Sequence, residues 1–235
     1  MPHRFFIDDP LTADQAELDD QEARHLRDVM RLKVADEAEL FNGQGVVAAA
    51  TVSRVSKRCV ELQIQSRRTV ERSEHRVTIA AAVPRGERFR WMIEKLTELN
   101  VDRFVPLQTQ RSVVTPGAGK LERMRQNVIS ASKQCCRNYL MTIDPVTEWK
   151  PFVEAFGPSI LLADPNGEPV SNFGGLPTGS VFAIGPEGGF TNEESASAVG
   201  SGANSICLGE TILRIETAAI VAAVTGVTRQ KDDRG

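Results

Sequence analysis

No apolar stretch of this 235-residue chain approaches the roughly 20 residues needed to cross a bilayer. The opening Met1-Pro2-His3-Arg4-Phe5-Phe6 lacks the h-region and small-residue cleavage site of a signal peptide, so the expected compartment is the cytoplasm, with no membrane partner. Cysteine is scarce: Cys59, Cys135, Cys136 and Cys207 offer no CxxC spacing and read as buried or idle thiols. With only His3, His25 and His75 beside them, no metal site is expected. A GxGxxG after an early strand is missing, and Gly117-Ala118-Gly119-Lys120-Leu121 lacks the spacing and the Ser/Thr of a phosphate-binding P-loop. There is no GxSxG elbow either, so dinucleotide, ATP and serine-hydrolase readings fall. An excess of positive charge is also lacking, since 28 Lys and Arg face 31 Asp and Glu; any RNA site must be a local patch.

What the chain does have is 41% hydrophobic and 25% charged residues, the balance of an ordinary folded protein. It also has two glycine-punctuated segments, Gly185-Pro186-Glu187-Gly188-Gly189-Phe190 and Leu208-Gly209-Glu210-Thr211-Ile212-Leu213-Arg214-Ile215-Glu216-Thr217-Ala218-Ala219. Each follows an apolar run that reads as a buried strand and leads into a helix, where open α/β sheets gather ligand-binding loops. The first comes directly after Val181-Phe182-Ala183-Ile184, and its glycines let backbone approach a ligand that no Cβ would tolerate.

The first 70 or so residues read as short strands, 4–7, 37–41, 46–55 and 59–65, with a helix across 20–32 and a hairpin loop at Asn42-Gly43-Gln44-Gly45. That pattern suggests a small β-barrel. On the helix Arg24, Arg27 and Arg31 recur at i, i+3 and i+7. The charged, aperiodic stretch 67–74 is the expected boundary, giving domains 1–72 and 73–235. Beyond it, strands at 77–83, 103–107, 160–163, 181–184 and near Ile206 alternate with helices, which implies a mostly parallel sheet covered on both faces. Phe89, Met92, Ile93, Leu96 and Leu99 make one face of a helix over 87–99, and Leu121, Met124, Val128, Ala131 and Cys135 keep the period of a longer one. Thr191 and Glu194 fit a capping box, so a helix starts right after Phe190. The last helix, 216–228, is almost without charge and needs burial against the sheet, a partner chain, or both. Residues 231–235 read as a frayed tail.

Several motifs in order carry a resemblance that runs over nearly the whole chain. They are Arg4-Phe5-Phe6, His25-Leu26-Arg27-Asp28-Val29-Met30-Arg31-Leu32, Leu40-Phe41-Asn42-Gly43, Glu94-Lys95-Leu96-Thr97-Glu98-Leu99, Gln110-Arg111-Ser112-Val113 and Ala131-Ser132-Lys133-Gln134-Cys135, followed by the two glycine segments. With them the chain resembles the SPOUT methyltransferases, and within these the ribosomal RNA small subunit methyltransferase E family, which methylates N3 of a uridine in bacterial 16S rRNA. It departs from the family pattern at Asn100, where glycine is usual, at Gln110, where Glu is usual, and at Glu210-Thr211, where proline and a basic residue are common.

The resemblance implies an α/β fold: an N-terminal PUA-like β-barrel for RNA, then a SPOUT α/β-knot domain, a deep trefoil knot with a mostly parallel sheet. It implies a homodimer whose active site draws on both subunits, which would give the last helix a burial partner. It implies S-adenosyl-L-methionine (S-adenosylmethionine) held by Leu162, Ala163 and Asp164 after one strand, by Ile184, Gly185, Glu187, Gly188 and Gly189 after the next, and by Leu208, Gly209, Ile212, Leu213 and Thr217 around the last. Uracil N3 carries a proton that must leave, so Arg214 is expected to stabilise developing charge on the base, with Glu187 or Glu216 as proton acceptor. The expected partner is 16S rRNA of the small ribosomal subunit. Its phosphates would be gripped by Arg4, Arg24, Arg27, Arg31 and Lys33 on the first domain and by Lys133 and Arg137 beside the cleft, with Arg111 nearer the target nucleotide. Two other readings stay open: a SPOUT enzyme acting on another RNA or base atom, and a catalytically idle RNA-binding or ribosome-assembly protein.

Overall fold

A computed structural model describes residues 3–74, 76–173, 175–176 and 179–229. The readings of His75 and of the 231–235 tail lie outside these residues. The chain forms two compact units, one running up to Ser73 and including Ile129–Leu140, the other made of Glu74–Val128 and the chain from Met141 onward. The return of 129–140 has no local sequence signature. It rests on distant partners, such as the Tyr139 hydroxyl donating to the Val70 carbonyl at 2.8 Å.

In the first unit β1 (His3–Phe6), β2 (Gln15–Asp19), β3 (Glu37–Phe41), β4 (Val46–Val55) and β5 (Cys59–Thr69) form one sheet in the order β1-β3-β4-β5-β2. Its pairings are antiparallel except β1 with β3. Alternation turns Leu40, Val52, Val60 and Leu62 inward onto Phe5, Leu18 and Leu26. Bulges at Ala49/Ala50 and Val52/Arg54 raise the local twist of the longest hairpin. Among the described residues no pairing joins β1 to β2. Strand β2 was not expected, because only Ala16 and Leu18 mark its apolar face.

The helix expected over 20–32 is shorter. It comprises α1 (Asp20–Arg24) and a π-helical turn, His25–Val29, closed by the Met30 N–H on the His25 carbonyl at 3.0 Å. Arg31 then takes φ +55°, a left-handed conformation that ends the run. Leu26 and Leu32 are both buried. Six residues apart they would face different sides of one helix, so burying both requires the break.

The second unit holds a parallel sheet in the order β12-β10-β11-β6-β7-β8, with β9 beside β7. Its strands are β6 (Thr78–Ala82), β7 (Arg103–Gln108), β8 (Thr142–Ile143), β9 (Thr147–Glu148), β10 (Ile160–Pro169), β11 (Val181–Ile184) and β12 (Asn204–Cys207). Its helices are α2 (Glu87–Glu98), α3 (Ala118–Gln134, whose last residues belong to the first unit), α4 (Trp149–Phe156), α5 (Asn192–Gly200) and α6 (Ile215–Arg229). On one face Val181 and Ala183 pack with Trp149, Phe152 and Val153 of α4 and Ala198 of α5. Phe182, between them in the strand, points to the other face, where α6 approaches so closely that a Cβ on Gly226 would lie 3.1 Å from its ring. Helix α4 was not expected; its Pro151 sits in the first turn, where a missing N–H costs nothing. At the end of α2, Asn100 takes φ +62° in a Schellman cap, with Val101 N–H on the Leu96 carbonyl at 3.0 Å and Asn100 N–H on Thr97 at 3.1 Å. Asparagine is among the non-glycine residues that best tolerate this conformation, which explains how the chain does without the family's glycine there.

Candidate active site

Strands β11, β10 and β12 are neighbours in the sheet, and the loops that leave β11 and β12, together with the irregular middle of β10, enclose one cavity of about 270 Å³. Ala163, Asp164 and Pro165 come from β10, Ile184 to Phe190 from β11 and its loop, Cys207 to Gly209 and Thr211 to Leu213 from β12 and its loop, and Ile215 and Ala218 from α6. The first glycine loop is shaped by close approach. A Cβ on Gly185 would stand 3.2 Å from the Phe190 ring, and Gly189 takes φ +68° with its N–H on the Pro186 carbonyl at 2.8 Å. The loop then enters α5 through the expected capping box: Glu194 N–H donates to Thr191 Oγ1 at 3.2 Å and Thr191 N–H to Glu194 Oε2 at 2.9 Å.

Of the residues assigned to a cofactor by resemblance, Ala163, Asp164, Ile184, Gly185, Glu187, Gly188, Gly189, Leu208, Gly209, Ile212 and Leu213 line this cavity. Leu162 stands outside the lining, buried in the sheet core, because strand alternation turns it toward α4. Thr217 also stands outside it, in a neighbouring cleft with Glu87, Arg88, Trp91, Arg214 and Glu216. Pro165, Pro186, Phe190, Cys207, Thr211, Ile215 and Ala218 also line the cavity, although none of them was assigned to the cofactor by resemblance.

Arg214 is exposed immediately before α6, where its carbonyl accepts the Ala218 N–H at 2.8 Å. Glu216 is nearly buried, with the Arg88 guanidinium 3.7 Å away. Glu187 is exposed on the cavity rim. Arg111 donates from Nη1 to the Gly188 carbonyl at 2.6 Å and to Phe190 at 3.4 Å, so its guanidinium is engaged by the glycine loop.

The basic residues of the first unit divide by environment. Arg4 is only 6% exposed, 3.2 Å from Glu39 and stacked 4.2 Å over the Phe41 ring. Arg137 is buried and donates to the Tyr139 carbonyl. Arg27 is occupied by the Ser56 and Lys57 carbonyls and by Asp28. Arg31 and Lys33 are exposed. A cavity of about 1070 Å³ is lined by Arg24, Lys133, His3, His25 and Arg68, the last unmarked by any motif. Lys133 Nζ lies 2.7 Å from Glu22 Oε1 and 3.2 Å from His25 Nδ1. Burial, with Lys133 beside it, holds the His25 imidazole below its ordinary pKa, against the opposing charge of Glu22.

The family of RNA methyltransferase domains matches residues 71–225, and that of RNA methyltransferase PUA domains matches 18–65. The chain is 32% identical over 206 residues to ribosomal RNA small subunit methyltransferase E of Synechocystis sp., covering 84% of this chain and 68% of that relative. Its identity to the Mycobacterium bovis protein of the same name is 30% over 231 residues, covering 93% and 88%. This chain belongs to the ribosomal RNA small subunit methyltransferase E family. A solved member from Neisseria gonorrhoeae, bound to S-adenosyl methionine, superposes on this methyltransferase with a TM-score of 0.87 at 27% identity over 95% of each chain. A methyltransferase of Legionella pneumophila in complex with the same cofactor gives 0.86 at 28% identity over 96% of this chain and 97% of that one. The fold of this methyltransferase is thus a PUA-like unit with an α/β methyltransferase unit built on a mostly parallel sheet. Further departures from the family pattern are Glu210, exposed beside the cavity, Thr211, which lines it, and Gln110, whose backbone N–H donates to Glu194 Oε1 at 2.7 Å.

Proposed function

We propose that this methyltransferase moves a methyl group from S-adenosylmethionine to N3 of a uridine in 16S rRNA of the small ribosomal subunit, in the cytoplasm and as a homodimer. The observation that carries the reading is the convergence of the loops after β11 and β12 and the irregular stretch of β10 on one cavity of about 270 Å³. That volume lies near the lower end of small-molecule sites, about 300–1,000 Å³. Its chemistry suits the cofactor. Ile184, Leu208, Leu213 and Ala218 offer apolar surface for a flat base, while the glycine backbone offers donors and acceptors without side-chain obstruction.

When bound, S-adenosylmethionine supplies an activated methyl group on a sulfonium. The chain must then favour a uridinate in line with it. Arg214, exposed at the start of α6, stabilises negative charge developing on the uracil. The N3 proton passes, directly or through water, to Glu187 on the cavity rim or to Glu216, which shares a cleft with Arg214 and lies 3.7 Å from the Arg88 guanidinium. RNA phosphates are gripped by the exposed Arg24, Arg31 and Lys33 together with Lys133 and Arg68, while Arg4, Arg27 and Arg137 shape the surface that carries them. A second copy of the chain covers the charge-free outer side of α6, where Val224 is 42% exposed and Ile220 and Val221 partly so.

The test is methylation of small subunits from a strain lacking the gene, using S-adenosylmethionine with a labelled methyl group, followed by digestion to nucleosides. Label in 3-methyluridine is the expected result. Label in another nucleoside assigns a different base atom, and no uptake of S-adenosylmethionine in a calorimetric titration returns the protein to a binding role.

A further inference from the structure

The turn after β7 is tied to the glycine loop of the cofactor cavity at two points. Arg111 Nη1 donates to the Gly188 carbonyl at 2.6 Å and to Phe190 at 3.4 Å, and the Arg111 Cδ lies 3.2 Å from where a Cβ on Gly188 would stand. One residue earlier, the Gln110 N–H donates to Glu194 Oε1 at 2.7 Å, while Oε2 of the same carboxylate accepts the Thr191 N–H at 2.9 Å. Glu194 is 8% exposed, and its own carbonyl accepts the Trp149 indole N–H at 3.1 Å. The indole in turn packs 4.7 Å from the Phe190 ring. The turn is itself closed, with Ser112 N–H on the Thr109 carbonyl at 3.1 Å and Thr109 N–H on Ser112 Oγ at 3.0 Å.

Hydrogen bonds to a charged donor or acceptor are roughly twice as strong as neutral ones. Here a guanidinium holds the middle and end of the 185–190 loop, and a carboxylate holds the point where that loop becomes α5. A loop ordered in advance does not charge its ordering entropy against ligand affinity. We infer that Arg111 and Glu194 are positioning residues for methyl transfer: they clamp the glycine loop in its cofactor-binding shape, and Arg111 acts on cofactor affinity through Gly188 and not on RNA. The inference rests on the cofactor reading of the cavity. An exposed arginine beside a cleft in an RNA enzyme otherwise reads as a phosphate contact, and the two roles separate in binding experiments.

The experiment titrates S-adenosylmethionine calorimetrically into the wild type, Arg111→Ala, Arg111→Lys and Glu194→Gln without RNA, then measures RNA affinity at several salt concentrations and steady-state kinetics. Arg111→Ala should weaken cofactor binding by about tenfold and raise the cofactor KM in step, with a much smaller change in kcat at saturating cofactor. Its RNA affinity and salt slope should match the wild type. Arg111→Lys should recover part of the loss, since an ammonium reaches one carbonyl but lacks the fork. Glu194→Gln should weaken the cofactor severalfold, because an amide cannot accept both backbone N–H groups with two oxygens. Unchanged cofactor affinity in Arg111→Ala, with an RNA salt slope reduced by about one, would overturn the inference in favour of a phosphate contact. Should Arg111→Ala not fold, wild-type cofactor affinity in both Arg111→Lys and Glu194→Gln overturns it equally. A wild type that takes up no cofactor removes the functional reading and this inference together.

Discussion

Replacing Gly167 by alanine should injure the protein out of proportion to one methyl group. Gly167 lies in β10 between Ala163 and Glu168, where the register with β12 shifts. A Cβ there would lie 2.6 Å from the Ile206 nitrogen, 2.7 Å from its carbonyl carbon and 2.8 Å from that of Ser205. These are backbone atoms of a paired strand, so no side chain can swing aside. Restoring ordinary contact, near 3.4 Å, requires β12 to retreat by about 0.8 Å. Such a movement breaks one or two ladder hydrogen bonds at about 1 kcal/mol each and adds the strain of overpacking, so the expected loss is about 2–3 kcal/mol. Because β12 leads directly into the Cys207 to Leu213 wall of the cavity, S-adenosylmethionine affinity should fall severalfold as well. Urea unfolding followed by tryptophan fluorescence suits the measurement, since Trp91 and Trp149 both lie in the second unit. Gly119→Ala is the control: it lies in the first turn of α3 with nothing within 4 Å of the added atom, and should be neutral or stabilising by up to about 1 kcal/mol. Equal urea midpoints for the two variants would refute the claim that β10 and β12 meet through the space a side chain would fill.

Other consequences can be measured directly. Arg214→Ala should lower kcat by about 10²–10³ while leaving cofactor affinity within about twofold, and near wild-type turnover would remove Arg214 from the chemistry. The His25 imidazole, held below its ordinary pKa by burial and by Lys133, favours the neutral form in the folded protein. Its contribution to stability is therefore complete above the unfolded value near 6.5 and is lost as pH falls through it toward the folded pKa. His25→Gln should accordingly lose less stability than the wild type between pH 7.5 and 5 in urea titrations, and parallel losses would contradict the assignment. Arg24→Ala and Arg68→Ala, both on the large cavity of the first unit, should each reduce the salt slope of RNA binding by about one; unchanged slopes would take the phosphates elsewhere.

Much of the second unit was legible because its strands are continuous apolar runs and its ligand loops carry glycines that ordinary turns do not need in that number. The capping box at Thr191 and the buried face of α2 were readable from spacing alone. Strand β2 and helix α4 were not, the first because two apolar residues make a weak period and the second because Pro151 resembles a breaker. The basic stripe at Arg24, Arg27 and Arg31 presumed a regular helix, and the π-helical turn with the left-handed Arg31 dissolved that face.

Local and periodic features follow from the order of amino acids: the alternation of β and α, the helix caps, the glycine loops at strand ends and the motif order that places the chain in its family. Which of these features meet follows from packing alone. Residues 129–140 joining the first unit, Arg111 on the carbonyls of Gly188 and Phe190, Glu194 bridging Gln110 and Thr191, and Thr217 turning to the Arg214 cleft all depend on partners tens of residues away. Periodicity records which way a side chain points relative to its own backbone. Which distant backbone it reaches is set by how strands and helices stack, and that is a property of the packed core.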